Sequence, residues 1–235
     1  MDKINKMIAS VIAITMLSVT PLIAGSGDFA GPFIQVSATS IGAELDGQYT
    51  DNEGTITKGT GGSIAQVGAV DVGYSIPLSD TFLLGIGVSA IPGSAEISKA
   101  DDAADAADIT IKAEDFITYY LQPTISVSEN SAVFLKVGAS EADLKVTGDF
   151  SGTASSELSG TTFALGTKTM FSSGMYFSAE AGYSDYDNIH VNDIGNADSA
   201  CNQNGGNGCP SNGTTGDAKA DPSTAFGQFS VGYKF

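Results

Sequence analysis

Apolar residues alternate with polar or small residues along most of this chain, and the alternation is clearest in its C-terminal segment, residues 225–235. Counted backwards from Phe235, every second residue of this segment is apolar or Gly. A period of two residues is typical of a β-strand whose two faces meet different surroundings. The pattern predicts a final strand with one face suited to hydrocarbon and one that tolerates water.

The same alternation recurs in earlier stretches, which predicts eight strands in all. The predicted strands are residues 33–45, 64–76, 82–92, 115–127, 132–146, 161–171, 175–189 and the C-terminal strand. In the first of them the apolar face changes from Ile34 and Val36 to Ile41 and Ala43. We interpret this change as a β-bulge near Ser40–Gly42.

The connections between these strands alternate in length. Short turns are predicted at 77–81, 128–131 and 172–174, and long polar loops at 47–62, 93–113, 147–160 and 190–223. Short turns on one side and long loops on the other are typical of outer-membrane barrels, with the turns in the periplasm. We therefore predict an all-β protein, an eight-stranded antiparallel up-and-down transmembrane β-barrel, with both termini periplasmic.

The N-terminal residues carry the features of a secretory signal peptide. Lys3 and Lys6 precede an uncharged apolar run, Met7–Ile23, and small residues follow it. The alternative is an uncleaved membrane helix, but the run is marginal against the about 20 residues that a span requires. The predicted organisation is a signal peptide at 1–26 and a barrel at 27–235.

Two features of the chain resemble known outer-membrane proteins. The segment Phe229-Ser-Val231-Gly-Tyr233-Lys-Phe235 is similar to the C-terminal signature by which the barrel-assembly machinery recognises bacterial β-barrels. The size, the leader and the final strand together resemble the OmpA–OmpX class of small barrels. This resemblance implies contact with outer-membrane lipid and lipopolysaccharide, and it leads us to expect a monomer in the outer membrane of a Gram-negative bacterium.

Composition narrows the function further. The chain carries −17 and the leader residues Asp2, Lys3 and Lys6 carry +1, so the remainder carries −18. Such an acidic balance argues against nucleic-acid binding, which requires clustered Lys and Arg. Cys201 and Cys209 lie in the longest predicted loop of a chain that would cross an oxidising periplasm, so we predict a disulfide bond between them.

The candidate chemistry lies on the faces assigned to the interior. The polar residues on these faces are Gln35, Asp71, Gln122, Lys136, Lys168, Glu180 and Gln228. Counted from the predicted turns, Asp71, Lys136, Lys168 and Glu180 fall at similar heights. An eight-stranded barrel is just wide enough for its own side chains, and buried charges have to pair or stay hydrated. We interpret the four as a paired polar plug, the alternative being a gate whose ion pairs exchange partners and pass ions.

Other polar groups give weaker signals. His190 is the only histidine, and it is predicted at the base of an exposed loop with no recognisable catalytic partner. The acidic residues Asp101–Asp108 lack the alternating oxygen ligands of a calcium loop. No metal, cofactor or catalytic site is predicted. The expected function is structural, the presentation of acidic loops that could meet an unknown surface ligand, and a narrow channel for ions or very small solutes is the alternative.

Overall fold

The computed structural model describes residues 26–50, 53–100, 109–148, 154–171, 173–195 and 215–235. Residues 1–25 of the expected leader, the acidic residues 101–108 and the two cysteines lie outside these ranges. Within the described part of the chain, no helix is long and apolar enough to cross a membrane.

The described residues form nine strands, preceded by a 3₁₀ turn at Ser26–Phe29. The strands are β1 (Gly31–Thr50), β2 (Ile56–Pro77), β3 (Phe82–Ala100), β4 (Ile109–Ser128), β5 (Ser131–Gly148), β6 (Glu157–Met170), β7 (Met175–Tyr186), β8 (Ile189–Gly195) and β9 (Thr215–Lys234). Most are longer than predicted at the end away from the short turns, because cross-strand hydrogen bonding continues where the apolar alternation stops. About 9–11 residues suffice to cross a bilayer, so these strands exceed the length of a span.

All neighbouring strands are antiparallel, and β1 pairs with both β2 and β9, which closes the sheet into a ring. The predicted all-β, up-and-down barrel is therefore confirmed. The seventh predicted strand is divided: β7 pairs with the second half of β9, and β8 pairs with its first half. β8 therefore occupies the same position in the barrel wall as β7, so the barrel has eight strand positions around its circumference.

The barrel has two unlike ends. At the turn end, short connections join β2 to β3, β4 to β5 and β6 to β7, and the backbone N–H of Phe235 donates to the carbonyl of Pro32 at 3.0 Å. We call the opposite end, where the longer connections lie, the loop end. Both ends of the described chain meet at the turn end.

The outward faces match the predicted ones. The side chains of Val72, Tyr74, Leu121 and Phe177 are each about half exposed, although they are apolar or aromatic. A continuous belt of such side chains surrounds the half of the barrel nearer the turn end, its members being Ile34, Val36, Val70, Ile76, Ile86, Tyr119, Ile125, Leu135, Phe163, Phe171, Val231, Tyr233 and Phe235 besides those named above. Apolar surface on this scale requires a partner other than water.

The bulge predicted near Ser40–Gly42 is wrong. β1 pairs in unbroken register with β2 on one side and with β9 on the other, so Ile41 and Ala43 share the inward face of Gln35 and Thr39. The change of apolar face has another cause: toward the loop end, the interior of the barrel becomes apolar.

Irregularities occur instead in β3 and β4. The register between these strands shifts between Ile91 and Ser94, where Pro92 offers no N–H and Gly93 has a φ of +102°. The hydrogen-bonded ladder between β2 and β3 ends at the same level, with the pair Val70–Ala90. The loop-end halves of β2 and β3 are therefore unpaired with each other beyond the level of this register shift.

Inward glycines make room for inward aromatic rings. Gly73, Gly87, Gly166, Gly182 and Gly232 pair directly across the sheet with Phe33, Tyr120, Phe134, Phe226 and Tyr176, respectively. In each pair a Cβ atom on the glycine would meet the partner ring. Each ring occupies the space that a side chain on its partner glycine would need, which is how large rings fit inside a narrow barrel.

Gly87→Ala tests this packing. The added Cβ would lie 2.5 Å from Cζ of Tyr120, so we expect a loss of about 1–3 kcal/mol in the free energy of unfolding. The control is Gly227→Ala, also in a strand, where nothing lies within 4 Å of the added atom. Denaturant titration of both variants in lipid vesicles measures the difference in their free energies of unfolding. Equal free energies for the two variants would refute the packing of the Tyr120 ring against Gly87.

Candidate functional site: the interior of the barrel

The turn end of the interior is closed by an apolar floor. Its members are Phe29, Phe33, Leu83, Ala132, Met170 and Tyr176, none of them more than 7% exposed. Phe134 is also buried, with its ring over Gly166. These buried rings and apolar side chains pack together across the turn end of the interior.

A charged cluster lies directly above the floor. Lys136 Nζ is 2.8 Å from Glu180 Oε2 and 3.7 Å from Asp71 Oδ1, and it lies 4.5 Å from the centroid of the Tyr120 ring. All three charged side chains are buried. One lysine between two carboxylates gives this cluster a net charge of −1.

Lys168 is not part of that cluster. Register places Lys168 opposite Ala132, next to the floor, whereas Lys136 lies opposite Ala164, four residues further along β6. The Nζ atom of Lys168 contacts the rings of Phe33 and Tyr176 at 4.8 and 4.6 Å. Glu180 lies opposite Gly166, midway between these two levels, so both lysines lie near it. Lys168 nevertheless forms no ion pair within the described residues, and ring faces stabilise its ammonium group instead.

Hydroxyl and amide groups complete the polar layer. A chain of hydrogen bonds joins Thr118 to Ser140, Ser140 to Thr162 and Thr162 to Ser184, at 2.8, 2.7 and 2.8 Å. Sequence reasoning missed this chain, although its members recur every 22 residues. The spacing of 22 residues was the signal available in the sequence, because it places one hydroxyl residue on each of four neighbouring strands at the same level of the barrel.

The inward amides are bonded to the same layer. Thr39 donates to Gln228 Oε1 at 2.8 Å, and the hydroxyl of Tyr176 donates to Gln35 Oε1 at 3.0 Å. Gln122 lies at hydrogen-bond distance from Thr124. The structure thus buries all seven polar residues that the sequence assigned to the interior.

A cavity of about 140 Å³ lies between the polar layer and the loop end. Lys136, Glu180 and Thr162 form its base, and its walls are mainly apolar. A second buried apolar cluster, composed of Ile111, Ala113, Ala142, Leu144, Leu158 and Ile189, adjoins it at the loop end.

His190 lies in β8 and is half-buried, not exposed in a loop as predicted. Its backbone N–H donates to Ser155 Oγ at 3.0 Å. The described residues contain no group of three or more His, Cys, Asp or Glu side chains arranged to hold a metal ion.

No protein-family model and no protein of curated function matches the sequence. Among solved structures, the chain is similar to the outer membrane protein OprG from Pseudomonas aeruginosa, at 14% identity and a TM-score of 0.50, over 88% of this chain and 97% of OprG. It is also similar to the outer membrane protease OmpT from Escherichia coli, at 9% identity and a TM-score of 0.45, over 94% of this chain and 99% of OmpT. A further similar structure is the attachment invasion locus protein Ail of Yersinia pestis, at 12% identity and a TM-score of 0.39, over 88% of this chain and 99% of Ail.

The fold is that of a small outer-membrane β-barrel. This statement rests on the likeness to OprG together with the closed ring and the apolar belt. At such low identity the likeness shows the fold and carries no activity from one protein to the other. It agrees with the expected OmpA–OmpX-like architecture.

The C-terminal strand of this outer-membrane β-barrel has the exposure that the sequence suggested. Phe229, Val231, Tyr233 and Phe235 all point outward, and the rings of Tyr233 and Phe235 meet edge to face at 5.1 Å. Aromatic residues near the rim are typical of the interfacial girdles of such barrels. Recognition of these residues by the assembly machinery stays a prediction.

Proposed function

We propose that the protein is an integral component of the outer membrane of a Gram-negative bacterium. In this proposal it closes its own lumen, displays acidic loops at the cell surface and performs no catalysis. The observation that carries the proposal is the buried apolar floor at the turn end, which lies beneath the polar layer. The turn end and both termini would face the periplasm, because the loop end carries the long connections.

The polar layer supports a structural role. Its hydroxyl and amide groups bind one another, and Lys136 pairs with two carboxylates, so most of these contacts hold side chains together inside the barrel. A water-filled passage would need polar groups directed into an open lumen. Instead, buried ring and methyl groups lie across the turn end.

The outer surface supports insertion in lipid. The apolar belt would contact acyl chains and the anionic lipopolysaccharide would lie near the loop end. Near the turn end every strand pairs on both sides, so the chain would need no second copy to close the sheet there and would act as a monomer.

Planar-bilayer recording of the refolded protein tests the proposal. We expect no steady conductance from the natural chain, after its folded form has been verified by heat-modifiable migration in gels. The matched control is Phe33→Ala combined with Tyr176→Ala, which removes the two rings beside Lys168. We expect this variant to conduct. A steady conductance of the natural chain would instead favour the narrow channel.

A further inference from the structure

The cavity above the polar layer is bounded by small and apolar side chains. Ala43, Ala65 and Ala113 leave space where larger residues would fill the barrel, and Ile41, Phe116 and Phe226 are among the larger apolar side chains that line it. Pro92, Gly93 and Ser94, which are exposed to solvent, also line it, so the cavity reaches the surface at the register shift in β3.

The base of the cavity offers few free hydrogen-bonding groups. Thr118, Thr162 and Ser184 bond to one another through the hydroxyl chain, Thr39 bonds to Gln228, and Lys136 pairs with Glu180. A buried water requires about 2–4 polar partners. Water would therefore find few free partners at this base, and the mainly apolar walls favour an apolar occupant.

We propose that this cavity is a binding site for a small apolar molecule of about the size of one aromatic ring. The size follows from the volume of about 140 Å³, since a cavity of about 150 Å³ lined by aliphatic and aromatic side chains takes up benzene or xenon. The ligand would rest on the charged and hydroxyl-bearing base and contact the ring of Phe116 or Phe226. A long acyl chain would not fit within this volume.

Toluene titration followed by NMR of alanine methyl groups tests the proposal in lipid nanodiscs. Toluene also dissolves in lipid, so the outward residues Ala38 and Ala181 report the nonspecific effect. We expect saturable shifts at Ala43, Ala65 and Ala113, and only weak, linear changes at the two outward positions. Equal, non-saturating changes at inward and outward alanines would overturn the proposal, and this comparison requires no variant.

A matched pair of variants gives a second test. Ala65→Phe fills the cavity from β2, whereas Ala38→Phe adds the same ring to the outer face of β1. We expect Ala65→Phe to weaken toluene binding, read at Ala113, by about tenfold or more, and Ala38→Phe to leave it unchanged. If Ala65→Phe does not fold, Ala43→Leu replaces it. Unchanged saturable binding in a folded, filled variant would place the ligand elsewhere and overturn the assignment.

Discussion

Replacing Lys136 with Met is expected to lower the free energy of unfolding of the barrel by about 3–5 kcal/mol. The substitution keeps much of the side-chain volume but leaves the buried carboxylates of Asp71 and Glu180 without their cation. No hydrogen bond from the described residues reaches the Asp71 carboxylate, so the loss of Lys136 leaves it uncompensated. Denaturant titration in lipid vesicles measures the change.

Two further variants make this prediction specific. Lys168→Met removes cation–π contacts without breaking an ion pair within the described structure, so its cost should be smaller, about 0.5–2 kcal/mol. Adding Glu180→Gln to Lys136→Met removes one of the two stranded charges and should recover part of the loss. A cost for Lys168→Met equal to that of Lys136→Met would contradict the assigned pairing.

A charge on the apolar belt is expected to have the second-largest effect. Val72→Arg places a cation on the outward face of β2 within the belt, so we expect a loss of about 2–4 kcal/mol, the range for Arg near the bilayer midplane. The control is Ile64→Arg on the same face of the same strand, eight residues nearer the loop end. Near the interface such a substitution costs about 0–1 kcal/mol.

The ratio of the stability losses caused by Arg at these two positions decides whether the belt faces lipid. Both native side chains are exposed apolar residues, Val72 at 49% and Ile64 at 82%. A soluble protein would therefore tolerate Arg at both. Equal and small effects at the two positions would contradict a lipid-facing belt.

The sequence was sufficient to predict the elements that depend on local alternation. Val70, Val72, Tyr74 and Ile76 were assigned outward from their period of two, and all of them lie on the outer face of β2. Asp71 was assigned inward by the same argument and is fully buried. One buried and one lipid-like face impose this alternation on every strand, so it can be read without any knowledge of the neighbours.

Features that depend on the register between strands could not be read in this way. Heights counted from the turns brought Lys168 near Glu180, but they could not show that the Lys168 ammonium group lies against the rings of Phe33 and Tyr176 and forms no ion pair in the described structure. The glycine–aromatic pairs and the hydroxyl chain depend on the same register. The apparent bulge in β1 arose because apolar residues line the cavity as well as the outer belt.

The central claim, that the exposed apolar belt contacts lipid, can be tested most directly by fluorescence. The chain contains no Trp, so a single introduced Trp is a unique probe. Val72 and Lys58 share the outward face of β2 and are separated by about 46 Å along the strand, at about 3.3 Å per residue. In vesicles with brominated acyl chains, we predict strong quenching for Val72→Trp and little for Lys58→Trp. Equal quenching at both positions, or none at Val72→Trp, would contradict the account.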